Sequence, residues 1–176
     1  MHQLGERDRW LTQDDDRLLS ECHVDTYRAR GPGGQKRNKT SSAVRLRHRP
    51  SGVIAIGHES RSQHQNKARA LKRLRLAIAL AVREPVDVSW KPPAVYEKYR
   101  RPGGGIEISR RSPDYPVLLA VVLDAIAACE GNLRGTTTLL RLKTAPLSKF
   151  IVSERKLLDA VNRIRHEAGL RPLSLP

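Results

Sequence analysis

Six prolines fall between Glu84 and Pro116, at positions 85, 92, 93, 102, 113 and 116. In a helix interior each would remove an amide donor and clash with the preceding turn. Gly103, Gly104 and Gly105 place a joint of high backbone freedom inside the same stretch. A chain of 176 residues interrupted in this way is expected to fold in parts: residues 11–83, a Pro/Gly-rich linker over 84–113, and residues 114–176. Arg100, Arg101, Arg110 and Arg111 make the linker basic. It is either a plain spacer or an extended segment that orders along an RNA backbone.

The N-terminal part mixes the two periodicities. Thr12 ahead of QDDDRLL resembles a helix start, with a hydroxyl cap and acids in the first turn, and the helix is expected to end near Cys22. His23 to Ala29 is a weak strand. Ser42 to His48 alternates cleanly, with Val44 and Leu46 on one face and Arg45 and Arg47 on the other. Pro50-Ser51-Gly52 is a turn signal, and VIAIGH is the return strand of a hairpin with one basic face. From Ser60 or Ser62 a long helix follows, with Leu71, Leu74, Ile78 and Ala81 at helical spacing. Lys67, Arg69, Lys72, Arg73 and Arg75 crowd its first half with scarcely an acid beside them in the helix. That crowd is a solvated face or a phosphate-facing stripe, and mutual repulsion favours the stripe. Beyond the linker, PVLLAVVLDAIAACE, Gly135–Leu142, Ala145–Ile151 and Glu154–Ala168 form helices, closed by Gly131 and Gly169. The expected class is α+β: a small mixed domain with a basic loop and a long helix, then a small all-α domain.

Charge narrows the partner. The net charge is +15, and residues 28–111 alone hold 21 basic and 5 acidic side chains. Arginine dominates there, and its planar fork suits phosphate oxygens. Nucleic acid or an anionic membrane would be attracted. No amphipathic helix joins this charge to a Trp, Phe and Leu face, so membrane is disfavoured. No apolar run of transmembrane length and no secretory leader are seen, so a cytoplasmic protein is expected. Cys22 and Cys129 stand far apart without a CxxC pair, which points to free structural thiols. His23, His48, His58 and His64 show no ligand spacing, and neither metal nor cofactor is expected. Trp10 and Trp90 are expected at domain edges.

Residues 31–35 spell GPGGQ, followed by Lys36, Arg37, Asn38 and Lys39. Taken with RAR before it, SSAVRLRH after it, then PSG and SRSQHQNKARA, the stretch resembles the peptidyl-tRNA hydrolysis domain of class I peptide release factors and the related ribosome-rescue factors. The likeness runs from about Leu11 to Ala81. It implies Gly33, Gly34 and Gln35 as the catalytic residues of a ribosome-dependent ester hydrolysis. The glycines would let the backbone enter a narrow RNA site. Gln35 would offer its backbone N–H to the developing oxyanion and its side-chain amide to the water or terminal ribose. An amide is no general base, so positioning and electrostatics would carry the reaction, much of the site being ribosomal RNA. The same likeness implies RNA contacts by Arg28, Arg30, Lys36, Arg37, Asn38, Lys39, Arg45, Arg61, Gln63, Asn66 and Lys67. Arg30 stands where serine is usual, and Lys36-Arg37 replaces a less basic pair. Both changes add charge and leave the glycines untouched.

Only about ten residues precede this domain, so a codon-reading domain is not expected, and the implied activity is codon-independent rescue of stalled ribosomes by a monomer. The basic linker would then sense the empty messenger channel. The alternative is a non-catalytic ribosome or RNA binder that uses the loop as a phosphate clamp. GNLRGTTTLLRLKTAPLSKFI is similar to a Fis-type helix-turn-helix, with Thr136-Thr137 for the usual alanines and Pro146 opening the second helix, and equally suits any three-helix bundle. RNA or DNA contact by this part is an expectation, as are the ribosome and peptidyl-tRNA as partners.

Overall fold

A computed structural model of the chain describes residues 5–28, 42–86 and 90–174. The chain divides into two compact units, Met1–Ile78 and Ala79–Pro176. Three antiparallel strands and eight helices among the described residues make it an α+β protein. None of those helices is long and apolar enough to cross a membrane.

In the first unit α1 (Glu6–Thr12) and α2 (Asp15–Ser20) lead into β1 (Cys22–Tyr27), β2 (Ala43–His48) and β3 (Ile54–Gly57). Thr12 does not cap a helix start. Its hydroxyl turns back to the Asp8 carbonyl at 2.8 Å and ends α1. Asp14 is the cap instead, its carboxylate accepting the Arg17 N–H at 2.7 Å. A carboxylate at the positive end of the helix dipole outbids a hydroxyl two residues earlier.

The alternation in 42–48 does its work as expected. Val44 and Leu46 are buried while Arg45 and Arg47 face out. Each fully buried leucine here contributes about 1.5–3 kcal/mol. The β2–β3 turn closes through the His48 N–H on the Val53 carbonyl at 2.9 Å and the Gly52 N–H on the His48 carbonyl at 2.8 Å. Gly52 takes φ +69°, a left-handed conformation that glycine adopts without strain.

Across the sheet lies α3 (Gln63–Ala81), with Ala70, Leu71, Leu74 and Ile78 in the core beside Trp10, Leu11 and Leu18. Trp10 is therefore a core residue rather than an edge one. Its ring meets that of the buried His48 edge-on at 4.8 Å. His48 sits between Ser51 Oγ at 2.7 Å and Glu21 Oε2 at 3.3 Å, a structural histidine. Both cysteines are free, and burial pushes the Cys22 thiol up to about 11.

The second unit is built on α5 (Tyr115–Ala128), with α4 (Ala94–Tyr99), α6 (Leu133–Leu140), α7 (Thr144–Val152) and α8 (Arg155–Glu167) around it. Every residue from Val117 to Ile126 is buried, which fits a helix apolar on all sides. Asp124 is the charged exception. It takes hydrogen bonds from Arg83 Nη1 at 3.0 Å and the Glu84 N–H at 3.1 Å.

Within the stretch expected to be a basic Pro/Gly-rich linker, Ala94–Tyr99 is helical. Pro93 precedes α4, where a missing amide costs nothing, and Tyr96 within it is fully buried. The Tyr96 hydroxyl donates to the Leu140 carbonyl at 2.7 Å, satisfying an acceptor that the end of α6 leaves open. Prolines excluded a helix only at their own positions, and the six residues between Pro93 and Arg100 had room for nearly two turns.

Candidate nucleic-acid interface

Tyr27 and Ala43 are register partners at the ends of β1 and β2. The segment 28–42 therefore leaves and re-enters the sheet across one rung of an antiparallel pair, and GPGGQ lies within this connection. Arg30, Gly33, Gly34, Gln35, Lys36, Arg37, Asn38 and Lys39 lie outside the described residues. What the structure gives is the root on which they stand.

Asn66 holds that root. Its side-chain amide donates to the Ser42 and Ser60 carbonyls at 2.7 Å each and accepts the Ser60 N–H at 2.9 Å. The residue is 0% exposed. An RNA contact is the expectation for Asn66, and in the structure its amide is buried and makes three bonds within the protein. Instead Asn66 ties the point where the chain enters β2 to the start of α3. The close packing that permits this comes from Gly57, where a Cβ would lie 2.1 Å from the Asn66 carbonyl oxygen.

The other described residues expected at the site divide by exposure. Arg28, Arg61 and Gln63 are exposed, and Lys67 is half-buried. Ser62 begins α3, its hydroxyl accepting the Gln65 N–H at 3.3 Å and its carbonyl the Asn66 N–H at 3.0 Å. Arg45 is exposed but bonded to Asp25 Oδ2 through Nε at 2.9 Å and Nη2 at 2.8 Å. That bond holds the Asp25 carboxyl below its ordinary value. Arg45 and Arg47 share the outer face of the sheet with Ile54 and Ile56, which are 45% and 36% exposed.

The cationic stripe of α3 does not survive intact. Arg75 donates to the Trp10 carbonyl at 3.2 Å, the Gln13 carbonyl at 2.9 Å and Asp15 Oδ1 at 2.6 Å, bracing α3 against α1 and α2. Arg73 donates to the Ile56 carbonyl at 2.7 Å and pairs with Glu59 at 2.6 Å. Arg69 lies 3.9 Å from the same carboxylate. The compensating acids stand outside the helix, where the local sequence could not reveal them. Arg69 and Lys72 remain exposed, beside the half-buried Lys67.

The Arg73 guanidinium holds the Glu59 carboxyl down at about 2, against an ordinary 4.5. A depressed carboxylate contributes stability that is full above the ordinary value and is lost as pH falls toward the folded-state value. The melting temperature is expected to fall on acidification from about pH 5 to about pH 2.5. Glu59→Gln should flatten part of that slope, with the effect kept small by the exposure of the pair. An unchanged slope in the variant would remove Glu59 from the account.

A basic hairpin-and-helix module with a glycine-rich connection at one end is the class defined here. Residues 18–90 match the RF-1 domain family. Peptide chain release factor 2 of Paramagnetospirillum magneticum is 59% identical over 56 residues, 32% of this chain and 15% of that protein. Peptide chain release factor 1 of Caulobacter vibrioides is 50% identical over 68 residues, 39% of this chain and 19% of that protein. Peptide chain release factor 1 of Solidesulfovibrio magneticus is 55% identical over 56 residues, 32% and 16% respectively. The chain thus spans less than a fifth of the length of these curated relatives. Over residues 18–90 the chain is similar to the RF-1 domain of class I release factors.

Proposed function

We propose that the chain hydrolyses the ester between a nascent peptide and tRNA on the ribosome, and that it acts on stalled ribosomes without reading a stop codon. The observation that carries the first part is the intact GPGGQ within an RF-1 domain. Water adds to the ester carbonyl carbon, and the oxyanion that develops takes the Gln35 N–H. The bond to the 3′ oxygen of the terminal ribose breaks, that oxygen takes a proton, and the peptide leaves as its acid. Gly33 and Gly34 give the clearance, and the Gln35 side chain orients the water or the ribose. Arg28, Arg61, Lys67, Arg69 and Lys72 join the cations of the loop in gripping RNA phosphates, which offsets the entropy of ordering that loop.

Codon independence is proposed because the described chain that follows the matched residues 18–90 goes to a helical unit rather than to more of the matched domain. Release is measured on ribosomes whose messenger site is truncated, empty or filled with a stop codon. The expected result is release on truncated messenger and no gain from the stop codon. Release only with a stop codon overturns codon independence. Ribosome binding without ester hydrolysis overturns catalysis and leaves the loop a phosphate clamp.

A further inference from the structure

The second unit carries a groove of about 460 Å³ between the extended segment 105–109 and α7. Ile106, Ile108, Pro146 and Phe150 supply its apolar lining, and Arg101, Arg110, Lys149 and the acidic Glu107 its charged groups. One wall is a segment held to its neighbour by a single antiparallel bridge, with its other edge open. Arg100 and Ile106 form an antiparallel bridge, in which the Arg101 N–H reaches the Gly105 carbonyl at 2.9 Å and the Glu107 N–H the Tyr99 carbonyl at 3.0 Å. Those bonds use the groups of 105 and 107. In an extended chain the groups of 106 and 108 point to the opposite edge, and there neither makes a backbone hydrogen bond among the described residues. A strand edge beside an apolar groove beside a helix is the arrangement that accepts an added strand: main-chain bonds supply affinity and alternate side chains fill the groove.

The charge selects the occupant. Arg101 pairs with Glu107 at 2.8 Å and Arg110 with Glu154 at 3.4 Å, while Lys149 is exposed and has no acidic partner among the described residues. Arg101 and Glu107 are 54% and 75% exposed, so that pair is worth little and exchanges readily with an incoming carboxylate. Nucleic acid fits poorly. Helix α7, TAPLSKFIV, carries one cation and no Arg, Asn or Gln to read base edges. Tyr115 is buried, and so is no stacking platform. Bare backbone amides at a strand edge serve a peptide better than a base.

We propose that this groove docks an extended, acidic peptide segment of a protein partner, added as a strand to the 106–108 edge, with an apolar side chain against Phe150 and carboxylates on Arg101 and Lys149. The proposal is independent of the hydrolytic reading of the RF-1 domain.

The test displays a library of random ten-residue peptides to the full chain and synthesises the most enriched sequence with a fluorescent label. Enriched sequences are expected to combine Asp or Glu with alternating apolar residues. Methylating alternate peptide nitrogens should weaken binding about tenfold, as lost main-chain donors require. Lys149→Glu, a surface change that leaves the fold alone, should weaken it by a similar factor, and Phe150→Ser should abolish it with the circular dichroism unchanged. The bound peptide should slow hydrogen exchange at the Ile106 and Ile108 amides. Failure to enrich acidic sequences overturns the proposal, as does binding indifferent to methylation and to Lys149→Glu. Protection of the same amides by a uridine hexanucleotide in place of the peptide would assign the groove to RNA and overturn it equally.

Discussion

Gln35→Pro is expected to lower the rate of peptide release on stalled ribosomes by about 10²–10³-fold, the loss typical of one missing oxyanion donor. Proline removes the backbone N–H and keeps the chain continuous. Gln35→Ala keeps that N–H and loses only the side-chain amide, so its loss should be smaller, about tenfold, the worth of one neutral hydrogen bond. The order of the two variants is the test, measured as single-turnover release at saturating factor with ribosome binding followed in parallel. Equal rates for Gln35→Ala and wild type would remove the side chain from the chemistry. An active Gln35→Pro would remove the backbone donor, and with it the proposed mechanism.

The largest effect on stability is expected from Gly57→Ala. The new Cβ would stand 2.1 Å from the Asn66 carbonyl oxygen and 2.9 Å from its carbon, both backbone atoms that no rotamer change can move. Either β3 or α3 must shift, at a cost of about 3 kcal/mol or more. For a domain with a total stability of roughly 5–15 kcal/mol that is a large fraction. Asn66→Ala acts at the same junction by another route. It strips partners from the Ser42 carbonyl and from both backbone groups of Ser60, which predicts a loss of about 2–4 kcal/mol. Urea unfolding followed by circular dichroism measures both. A Gly57→Ala variant within about 0.5 kcal/mol of wild type, the range of an ordinary surface change, would mean that the junction yields freely.

These two predictions differ in where they could be found. Gln35 stands out in the linear sequence because its glycines and basic flank are contiguous. Asn66 and Gly57 carry no such signal. The partners of Asn66 lie 24 and 6 residues away, and a helix-interior asparagine is equally at home on the surface. The cationic face of α3 failed in the same manner. Arg73 and Arg75 look unpaired in the sequence because their acids, Glu59 and Asp15, belong to a loop and to another helix. The second helix starts two residues later than Thr12 suggests, because α1 runs through Thr12 and the Asp14 carboxylate is the stronger cap.

Short-range periodicity is a property of consecutive residues, so the hairpin of 43–57, the long helix from 63, the caps at Gly131 and Gly169 and the GPGGQ segment were determined by the sequence alone. Packing brings together residues that the chain keeps apart. It decided that Trp10 and His48 share a core, that Tyr96 anchors part of an apparent linker, and that Arg73 and Arg75 brace the fold. A charge is available to a partner only when no nearer group has claimed it, and nearness across 15 to 60 residues of chain exists only in the folded protein.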